Sequence, residues 1–179
     1  LSMLMVFSLV SSPFADVQFK GEIVVKESYS GAKYLGEVTN GTDSPVKKVK
    51  VTITAKDASD KIIDVSDSYV NGYTDPDSYF IDSYIPPGET VPFYFYGDAK
   101  PEDIATYEGS ITYEDTDTVL ENQDLIVLKD ELNIVDNFTG SYIYGEITNN
   151  TNSYIYGVAV TTALKRTDGV LLDVETTYV

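Results

Sequence analysis

Residues 36–52 read GEVTNGTDSPVKKVKVT, and residues 145–161 read GEITNNTNSYIYGVAVT. One phrase written twice in a chain of 179 residues decides how everything else is parsed. Gly36 and Gly145 stand 109 positions apart, and residues 36–70 align with 145–179 without a gap, 14 of the 35 pairs being identical. The same offset sets Val17, Phe19, Ile23 and Val25 against Ile126, Leu128, Leu132 and Ile134. A period this long does not suit a solenoid. It suits tandem domains of about 100 residues, such as immunoglobulin-like sandwiches.

Working outward from the phrase, apolar and polar residues alternate with period two. Residues 17–26 place Val17, Phe19, Ile23 and Val25 on one face. Residues 32–39 send Tyr34, Gly36 and Val38 inward and Lys33, Leu35, Glu37 and Thr39 outward. The turn NGTDSP follows, with Asn-Gly and Ser-Pro as punctuation. Val49, Val51, Ile53 and Ala55 then face inward, and residues 61–70 return with Ile63, Val65 and Tyr69 on one face. YFIDSYI, the turn PPGE, TVPFYFYG and TYEGSITYE complete the first copy, and KPEDIATY has room for one helical turn at most. About seven strands with turn signals every 8–12 residues predict an all-β, immunoglobulin-like antiparallel sandwich, in tandem with an incomplete second copy. The expected division is a signal-peptide remnant at 1–15, a complete sandwich at 16–114, an acidic linker at 115–124 and a partial second sandwich at 125–179.

The second copy lacks a counterpart of residues 71–114, which in the first hold Phe80, Ile81, Ile85, Val91, Phe93, Phe95 and Ile111. Burying each such side chain stabilises by roughly 1.5–3 kcal/mol. Their loss is comparable to a domain's net stability of about 5–15 kcal/mol, so the second copy is not expected to stand alone. The expectation is a fragment at both ends. The other reading is self-association, with the second copy completed by strand addition from a neighbour, as in a filament.

Composition narrows function by exclusion. There is no cysteine or histidine and a single arginine, Arg166. Thiolate metal sites, Cys nucleophiles and the commonest general base are absent from this sequence. A net charge of −17 argues against nucleic acid and against anionic membrane surfaces. The opening LSMLMVFSLVSSPFAD has the apolar core and small residues of a secretory signal, and it is too short for a spanning helix. An exported, extracellular or cell-surface protein is therefore expected, not an integral membrane protein.

The stretches YLGEVTNGTDSPVKKVKVTI, KIIDVSDSYV and IPPGETVPFYF, in that order, resemble the FxLYD-domain family, small immunoglobulin-like modules of secreted bacterial and archaeal proteins. The resemblance spans roughly residues 17–114, and the second copy carries its first two elements. ITAKD at 53–57 and TALKR at 162–166 occupy the place of the family's naming motif. The resemblance implies a β-sandwich of cell-surface or secreted proteins and no enzyme activity. It implies no cofactor.

The candidate site residues are few. Outward tyrosines Tyr142, Tyr144 and Tyr156 in the second copy, and Tyr94 and Tyr96 in the first, offer flat faces for stacking on sugars or for protein contacts. Tyr69 and Tyr178 are expected to bury their rings. Asn40, Asn137 and Asn149 lie in Asn-x-Ser/Thr sequons and are glycosylation candidates. Asp75, Asp77, Asp115 and Asp117 are weak calcium candidates, without the spacing of a dedicated loop. No paired carboxylates stand out for glycoside hydrolysis. The expected role is a non-catalytic structural or adhesive module, whose partners are other surface proteins or glycans. A carbohydrate-binding module using its tyrosines is the alternative.

Overall fold

The computed structural model describes residues 16–70, 72, 83–117, 126–128, 132–137, 140–152, 154–155 and 158–179. The signal-like segment, Asp75, Asp77, Tyr156 and most of the expected linker lie outside the described residues.

The protein is all-β. The first copy contributes β1 (Val17–Phe19), β2 (Val24–Glu27), β3 (Ala32–Asn40), β4 (Val46–Lys56), β5 (Ile62–Tyr69), β6 (Tyr84–Ile85), β7 (Thr90–Gly97) and β8 (Thr106–Asp115). A 3-10 turn, Pro101–Asp103, lies between β7 and β8.

In one sheet, β7 runs along the whole of β3, and β1 and β2 share the opposite edge of β3. The continuous strand expected over 17–26 is thus broken in two. Gly21, at φ +76°, makes the break, and Lys20 N–H still reaches the Glu37 carbonyl at 2.9 Å. In the other sheet β4 is central, with β8 on one edge and β5 and β6 along the other. All pairings are antiparallel.

The two sheets pack face to face over one apolar cluster. Tyr34, Val38, Phe93 and Phe95 come from the first sheet, and Val49, Val51, Ile53 and Ile85 from the second. This is a β-sandwich core built from the expected alternation. Gly36 is inward for a steric reason: a Cβ there would lie 2.7 Å from the Phe93 ring.

One strand departs from expectation. On β5 the residues opposite Val51, Ile53 and Ala55 are Ser68, Ser66 and Asp64. The core-facing side of β5 is therefore polar, while Val65 is 59% exposed. A bulge between Ala55 and Lys56 sets this register. Asp64 is tolerated inside because Tyr34 Oη donates to Oδ2 at 2.9 Å and Ser66 Oγ to Oδ1 at 2.7 Å. Burial and that carboxylate together hold the Tyr34 hydroxyl well above its usual pKa.

The second copy forms β9 (Ile126–Leu128), β10 (Asn133–Asn137), β11 (Gly140–Tyr144), β12 (Ile147–Asn149), β13 (Ala159–Lys165) and β14 (Leu171–Tyr178). Among the described residues they make three two-stranded sheets: β9 with β12, β10 with β11, and β13 with β14. Moved by 109 positions, their registers reproduce those of β1 with β3, β2 with β3, and β4 with β5, down to the bulge between Leu164 and Lys165.

Candidate functional site

The face of β3 that points away from the first copy's core is not open. Lys33, Leu35 and Glu37 are exposed to at most 9%, because the hairpin β13–β14 lies across them. Leu35 packs with Leu171 and Val174, and Val24, Tyr94 and Ala163 flank that cluster. Ion pairs surround it. Lys33 Nζ meets Asp173 at 3.0 Å and also Glu175, and it donates to the Val174 carbonyl at 2.9 Å. Lys26 reaches Asp173 at 3.1 Å, and Lys165 reaches Glu37 at 2.7 Å. Lys33 also sits 4.6 Å from the centre of the Tyr94 ring.

The titration behaviour follows from this packing. Burial alone would lower the pKa of Lys33, but hydrogen bonds to Glu175 and Asp173 raise it above the ordinary 10.5. Burial alone would raise that of Asp173, but hydrogen bonds from Lys33 and Lys26 hold it below the ordinary 3.8. Each partner keeps the other charged.

Beside this seam runs a groove of about 220 Å³. Tyr94 and Tyr96 of β7, Tyr69 of β5 and Tyr178 of β14 line it, with Thr161 and Thr176. Tyr94 and Tyr96 meet edge to face, their ring centres 6.0 Å apart. Thr161 and Thr176 share a hydrogen bond of 2.9 Å across the hairpin. Tyr69, Tyr96 and Tyr178 are each about half exposed. The groove is smaller than the roughly 300–1,000 Å³ of enclosed ligand pockets, and its chemistry is aromatic faces beside hydroxyls. Such a surface can stack on one flat ring and hydrogen-bond its rim.

The structure thus brings Tyr94 and Tyr96 together with Tyr69 and Tyr178, which the sequence reading had placed inside. The correction has a cause: the β5 register turns Tyr69 away from the core, and β14 repeats it for Tyr178. Both tyrosines recur at the 109-residue offset, a recurrence that fits a buried ring and an exposed one equally. Tyr142 and Tyr144 are exposed and stack on each other at 6.2 Å, apart from this groove's lining.

The other candidates fall elsewhere. Asn40 is fully buried, its amide donating to the carbonyls of Ser44 and Ile85, so a glycan has no access in the folded state. Its Oδ1 accepts from Thr42 N–H and Oγ1, and Asn149 Oδ1 accepts from Thr151 in the same way. Asn149 is exposed, and Asn137 ends β10. Asp115 and Asp117 are exposed. Among the described residues no three carboxylates are grouped to hold a metal ion, and no helix is long and apolar enough to cross a membrane.

No family model matches the chain, and no curated protein is similar to it. A solved structure, a penta-heme cytochrome c552 from Thermochromatium tepidum, aligns at 14% identity with a TM-score of 0.34. The alignment covers 55% of this chain and 31% of the cytochrome, a likeness too low to carry a conclusion about fold or function.

Proposed function

We propose that the chain is a non-catalytic, immunoglobulin-like tandem module of an exported protein, with a structural or adhesive role at a cell surface. The docked seam carries the reading. A buried lysine shared by two carboxylates and a backbone carbonyl fixes two copies in one orientation, as a load-transmitting rod needs. The matched strand registers support duplication as its origin. Among the described residues the carboxyls with displaced pKa values are all lowered, Asp57 by hydrogen bonds from Ser59 and Lys61 in its turn and Asp168 and Asp173 by hydrogen bonds from Arg166 and from Lys33 and Lys26, which suits structural links rather than proton donation. Antibodies raised against the chain are expected to label intact cells of its source. Labelling that appears only after lysis refutes the surface assignment.

The groove favours a second reading, carbohydrate binding. Retention on insoluble polysaccharide is expected to weaken about 3–10-fold in Tyr96→Ala, the value of one stacked ring. Equal retention of both proteins removes the groove from consideration.

A further inference from the structure

The seam is heterologous: one copy offers the face of its β2–β3 hairpin, and the other offers the outward side of a β13–β14 hairpin. The donor face recurs at the 109-residue offset, and so does the β2–β3 part of the acceptor, with Asn133 in place of Val24; Tyr94, which flanks Leu35 from β7, has no counterpart among the 179 residues. Leu171 and Val174, buried in the seam, correspond to Ile62 and Val65, which are 54% and 59% exposed. Leu35, which they cover, corresponds to Tyr144, and Lys33 corresponds to Tyr142. Those tyrosines are 55% and 44% exposed and share one face of the β10–β11 hairpin. Each chain therefore carries one satisfied seam, an exposed donor face on the first copy and, at the acceptor position of the second, an exposed pair of stacked tyrosines.

We infer that the chain associates with a second copy of itself head to tail, the Ile62–Val65 face of one molecule seating on the Tyr142–Tyr144 face of the next. The occupant is argued from the seam itself, where the equivalent residues already meet. The charges are also compatible. The pair Lys165–Glu37 has the counterpart Lys56 and Glu146, both retained, and each would exchange a contact it already makes. Lys56 now meets Glu108 and Asp60 at the surface, contacts weak enough to exchange. The pair of buried Lys33 with the exposed Glu175 has the counterpart Tyr142 and Ser66, so the cation and its acid are lost together and no unpaired charge is buried. Lys26 likewise becomes Val135, and Asp64, the counterpart of Asp173, is already engaged by Tyr34. An interface of this kind is heterologous, and it yields linear chains or rings rather than a symmetric dimer. The inference adds an assembly mode to the proposed surface module and does not depend on sugar binding.

Sedimentation equilibrium of the full chain, up to about 1 mM, tests it. The weight-average mass is expected to rise with concentration past that of a dimer. Val65→Lys alone and Tyr144→Glu alone are each expected to remain monomeric, and their mixture to stop at a 1:1 dimer. A strictly monomeric wild type, or association of either variant alone, overturns the proposal. A second measurement uses the absence of cysteine. Val65→Cys and Tyr144→Cys, both at exposed positions, are mixed and oxidised. Heterodimers in excess of the statistical half support head-to-tail docking, and a statistical mixture or an excess of homodimers overturns it.

Discussion

The hairpins β4–β5 and β13–β14 have the same register and the same bulge, yet they live in different surroundings. In the first, β4 is flanked on its far edge by β8 and roofed by a second sheet, so Val51, Ile53 and Ala55 are buried. In the second, no further strand joins β13 among the described residues, and the hairpin rests by its outward side on the first copy. Asp64 and Asp173 show what the difference does. The first accepts a hydrogen bond from Tyr34 inside a core. In the second copy Ile143 stands at the position of Tyr34 and has no hydroxyl to offer. Asp173 instead binds Lys26 and Lys33 across the seam. The local pairing is the same in both hairpins, and the use of the polar groups differs with what lies opposite them.

Paired substitutions break this comparison most sharply in the core. Ile53→Ala is expected to cost about 2–5 kcal/mol in denaturant unfolding, since it empties a fully buried site. Thr162→Ala, at the matching position, is expected to cost less than about 0.5 kcal/mol. Equal losses would mean that the second copy is enclosed as fully as the first.

Next comes the seam. Asp173→Asn with Glu175→Gln leaves the Lys33 ammonium buried without a carboxylate. The expected cost is about 1–3 kcal/mol, below the roughly 3–5 of a fully buried pair because both acids keep some solvent. The sign of the pH dependence follows from the two displaced groups. Asp173 has a lowered pKa, so its contribution is present above 3.8 and is lost as pH falls through its folded value. Lys33 has a raised pKa, so its contribution is present below 10.5 and is lost as pH rises through its folded value. Wild type should therefore lose part of its advantage over the double variant at both extremes. A difference that stays flat from pH 3 to pH 11 would show that the pair does not hold the seam.

The smallest contrast concerns the turns. Asn40→Ala strands the carbonyls of Ser44 and Ile85 as well as the turn, an expected loss of about 1–3 kcal/mol. For the exposed Asn149, the loss in Asn149→Ala should stay below about 1 kcal/mol, the value of a turn bond alone. Thermal denaturation of the two variants ranks them, and a larger loss at Asn149 would reverse the assignment of buried and open copies.

Much of this fold was readable because period-two alternation directly encodes a two-layer structure: Tyr34, Val38, Val51, Ile53, Phe93 and Phe95 all point where their spacing places them. The β5 register was not readable. Ile63 and Val65 look like core residues, and only the bulge and the Tyr34 hydroxyl make Asp64 the inward one. The groove was hidden for a related reason. Tyr69, Tyr94, Tyr96 and Tyr178 come from three strands and both copies, and no local pattern announces which outward faces will meet. The seam left a fainter trace. Lys33, Leu35 and Glu37 form an outward triplet with an aliphatic centre, which suits a covered surface better than a wetted one.

The turn at Asn40 carries one more consequence, for chemical ageing. Asn-Gly is the dipeptide most prone to lose ammonia, because the glycine nitrogen attacks the side-chain carbonyl and closes a five-membered ring. Here the Asn40 amide is held by two carbonyls, and the Gly41 N–H is engaged by the Asp16 carbonyl at 3.0 Å. The attack needs both to let go. Isoaspartate at residue 40 would then accumulate in proportion to time spent unfolded, and the phrase that marks the fold would serve as its clock.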